Sequence, residues 1–112
     1  MRPRISSWWR FRSEERDKRT DLERVAVVET ALNTVMRDAQ QERTGLQRRI
    51  DNASFQMASL AGDGFDFLTR EAEDTALLDE AEREYFRARG RERDIGALIA
   101  KLEAVQQLLR SE

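Results

Sequence analysis

The chain has 112 residues, a formal net charge of −2, and neither cysteine nor histidine. This is the usual size of one domain, and the missing residue types exclude disulfides, thiolate chemistry and histidine-based catalysis or metal binding. No apolar run reaches the roughly 18 residues needed to cross a bilayer. We therefore expect a cytoplasmic, non-enzymatic protein that uses no metal or cofactor.

The first twelve residues form a basic aromatic segment with four arginines, three aromatic residues and no acidic residue. Ser13, followed by Glu14 and Glu15, is typical of a helix start, because a serine hydroxyl can accept a hydrogen bond from a backbone N–H of the first turn that has no partner within the helix. Acidic side chains also favour the positive end of the helix dipole. We predict that segment 1–12 stands apart from a helical hairpin over 13–112.

An apolar stripe with spacings of three and four predicts a first helix over about residues 13–61. Several of its members lie eleven residues apart, and an 11-residue repeat favours a nearly straight or slightly right-handed helix pair. The residues expected to point inward are Leu22, Val25, Val28, Leu32, Val35, Ala39, Leu46, Ile50, Ala53, Met57 and Leu60.

The triplet Gly62-Asp63-Gly64 predicts a turn over residues 62–65, because glycine ends helices in the left-handed conformation and aspartate suits turns. Asp66 is the expected cap of a second helix that runs to about residue 110. Its expected inward residues are Leu68, Ala72, Leu78, Tyr85, Ala88, Ile95, Ile99, Leu102, Val105 and Leu109.

The predicted fold class is all-α, a long antiparallel two-helix hairpin resembling a coiled coil, with arms of about 70 Å. A turn centred near residue 64 would set Leu32 near Ile95 and Val25 near Leu102. Apolar doublets widen the apolar face beyond what two helices can bury. We therefore predict that two hairpins form a homodimer, a four-helix bundle, or that a partner covers the second stripe.

The candidate partner-binding residues are Trp8, Trp9, Arg10, Phe11 and Arg12. Tryptophan and arginine are favoured anchors at protein interfaces, so docking on a protein partner is one interpretation. The segment could instead fold back as a cap on the bundle, or contact a membrane with indoles at headgroup depth and arginines on anionic lipid. Nucleic acid is the least favoured partner, because the rest of the chain offers no basic face.

An acidic run in the second helix invites a di-metal carboxylate interpretation. That interpretation fails because a Glu-x-x-His motif needs histidine and the first helix has no matching inward acids. A solvated, partner-facing surface is the better prediction. The run comprises Glu71, Glu73, Asp74, Asp79, Glu80, Glu82 and Glu84.

A basic belt follows the acidic run, and its arginines are expected to pair with neighbouring glutamates along the helix. The alternative is an anion or acidic-partner site. Gly45, Gly90 and Gly96 fall inside helices at a cost of about 1 kcal/mol each, which indicates close packing or a flexible point. The belt comprises Arg83, Arg87, Arg89, Arg91 and Arg93.

A charged helical hairpin with a basic aromatic N-terminus resembles the small coiled-coil stalk and escort proteins of flagellar and type III export machinery, as well as phage or bacterial assembly scaffolds. The similarity is one of shape and composition over the whole chain. We predict an adaptor or assembly scaffold that binds a protein partner. The alternatives are a peripheral membrane protein anchored by the N-terminal segment and an export stalk or escort protein.

Overall fold

The computed structural model describes residues 2–62 and 72–111, and nearly all of them belong to two long helices. Helix α1 is Arg2–Gly62 and helix α2 is Ala72–Arg110. The two pack against each other as an antiparallel hairpin, a rod with extents of 102 × 18 × 13 Å. The predicted all-α two-helix hairpin is confirmed.

The predicted helix start at Ser13 was wrong, since α1 is continuous from Arg2. Pro3 lies in the first turn, where its missing N–H is not needed and its fixed φ suits a helix. No other proline is present, and no glycine precedes Gly45, so nothing in the sequence ends the helix near residue 13. The basic aromatic segment is therefore the first part of α1.

The predicted C-terminal ends of both helices agree closely with the observed ends at Gly62 and Arg110. Three other predictions concern residues outside the described ranges: the turn after Gly62, the cap at Asp66 and the inward position of Leu68.

The buried residues of α1 follow a heptad pattern, with successive spacings of four, three, seven, four and three. This is the pattern of left-handed coiled coils, so the predicted 11-residue repeat was wrong. Val28 and Val35, which that repeat placed inward, are 49% and 46% exposed, and Met36 is buried in place of Val35. The buried set is Leu32, Met36, Ala39, Leu46, Ile50 and Ala53.

Helix α2 lays a matching heptad stripe against α1, and we call the line where the two stripes meet the seam. Ile95, at 1% exposure, is its most deeply buried residue, beside Ala81, Ala88 and Ile99. The predicted inward position of Val105 was wrong, because the heptad passes from Leu102 to Gln106. The Nε2 of Gln106 donates a hydrogen bond of 2.9 Å to Oδ1 of Asn33 on α1.

The register of the hairpin differs from the predicted one. Glu42 pairs with Arg91, and Asn33 with Gln106, whereas the predicted register places residues 86 and 95 opposite them. The two contacts are centred on residue numbers 66–67 and 69–70, whereas the predicted register is centred on residue 64. The predicted pairs of Leu32 with Ile95 and of Val25 with Leu102 were therefore wrong.

Helix α1 extends well beyond the end of α2. The contact of Asn33 with Gln106 places Arg110, the end of α2, beside about residue 29 of α1, and the contact of Glu42 with Arg91 places it beside about residue 23. We call residues 2–28 the arm, which is about 40 Å long at 1.5 Å per residue. All side chains from residue 14 to residue 28 are exposed.

Candidate functional site

The arm carries the five predicted partner-binding residues, Trp8, Trp9, Arg10, Phe11 and Arg12, on consecutive positions of one helix. Successive residues of a helix are about 100° apart, so these five encircle the arm instead of forming one patch. Trp9 is 57% exposed and Phe11 is 63% exposed, on nearly opposite sides. The side chain of Trp8 is outside the described part of the structure.

The interpretation of the segment as a cap on the hairpin was wrong for Trp9 and Phe11. Both side chains are more than half exposed, and α2 ends beside about residues 23–29 of α1, far from them. The reason is the unbroken helix: a cap requires the chain to turn back, and α1 runs straight away from the hairpin instead.

One side of the arm combines tryptophan with arginine. Trp9, Arg12, Arg16 and Arg19 follow spacings of three, four and three, which place them on one side of a helix. They line a shallow groove together with Glu15. We call Trp9, Arg12, Arg16 and Arg19 the Trp face. It offers an apolar ring among three guanidinium groups, a chemistry suited to an acidic surface with an apolar spot.

Sequence reasoning missed Arg16 and Arg19 as members of this surface. The signal was their spacing of seven and ten residues from Trp9, which places them on its side of a helix. This spacing is informative only if the helix begins before Trp9. The predicted start at Ser13 left Trp9 outside the helix that carries these arginines.

A second side of the arm continues the seam past the end of α2. Val25 lies seven residues before Leu32, and Leu22 lies fourteen before Met36, so both keep the heptad phase of the buried residues. Phe11 lies in the same phase, twenty-one residues before Leu32. All three are exposed, Val25 least at 38%.

The basic belt of α2 is held by contacts within the hairpin. Nε of Arg91 donates a 2.7 Å hydrogen bond to Oε2 of Glu42, and its Nη2 donates a 3.3 Å bond to Oε1. This hydrogen bond raises the pKa of Arg91 above its ordinary value. Arg87 lies 3.8 Å from Glu84 on the same helix. Arg91 therefore joins the two helices, while Arg87 pairs locally as predicted.

The acidic run and the internal glycines were the other candidate features. Within residues 2–62 and 72–111, no group of three acidic side chains is arranged to hold a metal ion. A Cβ added at Gly45, Gly90 or Gly96 would meet nothing within 4 Å. Close packing at these glycines is therefore not found within the single chain.

No known family model matches the chain, and neither a curated protein nor a solved structure shows significant similarity to it. Neither of the described helices contains an apolar stretch sufficient to cross a bilayer. Function is therefore inferred from the surfaces of the chain itself.

Proposed function

We propose that the chain is a non-enzymatic helical interaction protein, an adaptor or assembly scaffold that binds an acidic protein partner through the Trp face. The observation that carries this proposal is the exposure of Trp9 beside three arginines on an arm that extends beyond the hairpin. The proposed site keeps Trp9 and Arg12 from the predicted segment and adds Arg16 and Arg19.

The physical support comes from the small amount of packing that the arm has within the single chain. Most helix stability in proteins comes from tertiary packing, and the exposed side chains of the arm obtain little of it within the single chain. An exposed tryptophan also gains a large buried area when it meets a surface. Docking of the arm in a groove of a partner would supply both, as in other helix-in-groove complexes.

The shape of the molecule also suits a scaffold. Its radius of gyration is 27.4 Å, about twice the roughly 13 Å of a compact domain of this length. A rod of this kind holds its two ends far apart, which is useful for spacing partners. A stalk or escort protein of an export apparatus would be one form of such an adaptor.

A photo-crosslinking amino acid tests the proposal in the full-length chain. Placed at Glu15, on the rim of the Trp face, it should yield an adduct with a protein other than this chain. The same amino acid at Phe86, exposed on α2, is the matched control and should not yield that adduct. The double substitution Trp9→Ala with Arg16→Glu should abolish the adduct while circular dichroism shows unchanged helicity.

The proposal would be rejected if the adduct at position 15 survived this double substitution, or if the chain crosslinked only to itself. Equal adducts at positions 15 and 86 would indicate non-specific contact and would reject it as well.

A second candidate is a peripheral membrane protein, favoured by the same arrangement of Trp9 among Arg12, Arg16 and Arg19. Interfacial helices place indoles at headgroup depth and arginines on anionic lipid. Sedimentation with vesicles of phosphatidylserine and phosphatidylcholine distinguishes the two functions. Binding that requires the anionic lipid and is lost in the Trp9→Ala, Arg16→Glu variant would support the membrane candidate.

A further inference from the structure

An apolar patch lies along one flank of the seam. Val35 and Val28 lie seven and fourteen residues before Glu42, and Leu98 and Val105 lie seven and fourteen after Arg91. Since Glu42 and Arg91 contact each other across the hairpin, all four apolar residues share their side of the rod. We call Val28, Val35, Leu98 and Val105 the flank patch; each is between 40% and 49% exposed.

The chain exposes more surface than a monomer of its mass normally does. Its accessible surface is 9717 Å², whereas a compact monomer of 13.1 kDa exposes about 6,400 Å². The excess is larger than the roughly 1,600 Å² that a standard protein interface buries in total. The rod therefore has enough surface to form a stable dimer while leaving the Trp face open.

The position of the flank patch suits a second copy in the antiparallel orientation. Val28 and Val35 flank residue 32, the middle residue of α1. A two-fold axis through the patch would lay two rods side by side along their whole length. Each arm would then lie beside the other copy's end near Gly62 and Ala72, where that copy has both helices.

The charges of these two ends are opposite. Residues 2–13 carry four arginines and no acidic residue, whereas residues 50–62 and 72–84 together carry seven acidic residues and one basic residue. A parallel arrangement would instead place the two basic arms together and the two acidic ends together. Complementary charge contributes more to the choice of orientation than to the affinity of a complex. Here it favours the antiparallel dimer.

We infer that the flank patch is a homodimer interface, in which a second copy lies antiparallel and its basic arm packs against the acidic end of the first. On the arm, the side that carries Val28 faces the partner copy. The Trp face lies on the other side of the arm and remains accessible. The interface is thus separate from the proposed partner site, and the two can be tested independently.

Crosslinking at introduced cysteines tests the orientation, because the chain has no cysteine of its own. Glu14 and Arg49 are exposed and lie fourteen residues before Val28 and fourteen after Val35, so both are on the side of the flank patch. They are 35 residues apart on α1, or about 50 Å, too far to be joined within one chain. In the antiparallel dimer, Glu14 of one copy lies near Arg49 of the other. A mixture of full-length Glu14→Cys and Arg49→Cys chains should form a covalent dimer with a bismaleimide, and each variant alone should not.

Covalent dimers of Glu14→Cys alone would show that the arms meet each other, and this would overturn the antiparallel arrangement. A full-length chain that stays monomeric by light scattering at 100 times the concentration of the crosslinking sample would overturn the dimer. Neither result would affect crosslinking at Glu15 to another protein, so failure of this inference is distinguishable from failure of the proposed function.

Substitutions in the patch test the surface itself. Val35→Glu places a charge on both sides of the two-fold axis and should raise the dimer dissociation constant at least about tenfold. Phe86→Glu introduces the same charge at an equally apolar exposed site away from the patch and should change the constant less than about twofold. Equal effects of the two variants, with helicity retained in both, would assign the interface elsewhere.

Discussion

At the scale of single residues, the contact between Glu42 and Arg91 identifies which part of α1 faces which part of α2. The pair is solvent-exposed, so it adds little to stability by itself. Its two hydrogen bonds nevertheless require one relative position of the helices. Neighbouring registers would lose both bonds.

Charge reversal tests this role. Glu42→Arg should lower the melting temperature, because two guanidinium groups would then face each other at the seam. The double variant Glu42→Arg with Arg91→Glu should recover most of the loss, since the pair is restored in the opposite sense. Arg24→Glu, at an exposed pair within the arm, is the control and should have little effect. A double variant no more stable than Glu42→Arg would contradict the assignment.

Adjacent apolar residues limit what the sequence reveals at this scale. Val35 and Met36 differ by one position, and either fits a stripe with spacings of three and four. Packing against α2 determines which of the two residues is buried, and it buries Met36. At Val105 and Gln106 the amide lies at the seam because Asn33 is there to accept its hydrogen bond. Only the register, which depends on both helices, shows that Asn33 is available.

At the scale of helices, Gly45, Gly90 and Gly96 are weak points in otherwise strong helical sequences. Alanine at any of them meets open space, so each substitution should raise the free energy of unfolding by about 0.5–1 kcal/mol through helix propensity. The reverse change at an exposed position, Ala97→Gly, should lower it by a similar amount. Urea unfolding measures both. A destabilising alanine would show that another helix packs on that glycine in solution.

The existence and C-terminal ends of both helices could be predicted, because apolar periodicity and the Gly62-Asp63-Gly64 triplet are strong local signals. The start of α1 could not be predicted in this way. Ser13 is a good cap by residue type, but a cap is needed only where a helix begins, and the helical sequence before it has no breaker after Pro3. The register also depends on where α2 starts, and a turn motif by itself does not define that.

At the scale of the whole molecule, the rod can be measured directly. Small-angle X-ray scattering of the full-length chain should give a maximum dimension near 102 Å, because side-by-side rods double the mass with almost no gain in length. The Val35→Glu variant should have half the mass and nearly the same length. A dimer much longer than a single rod would mean end-to-end association and would contradict the flank patch as the interface.

The candidate site was predictable in part at this scale. The basic aromatic composition of the first twelve residues singled out the end of the chain that carries the proposed site. The arrangement of the site required the three-dimensional structure, since the helix separates Trp9 from Phe11 and joins Trp9 with Arg16 and Arg19. The arm itself arises from the unequal lengths of α1 and α2, which are properties of two distant helix ends.

Because α1 is continuous from Trp9 to Leu32, the distance of the Trp face from the hairpin and its direction around the helix axis depend on each other. Each residue between them advances the Trp face by about 1.5 Å and rotates it by about 100°. Two extra residues would turn the tryptophan to the opposite side of the rod, whereas seven would move it outward by about 10 Å and turn it only about 20°. The length of the arm therefore sets the angular phase of its binding face, and it can change without altering that phase only in steps of about two turns.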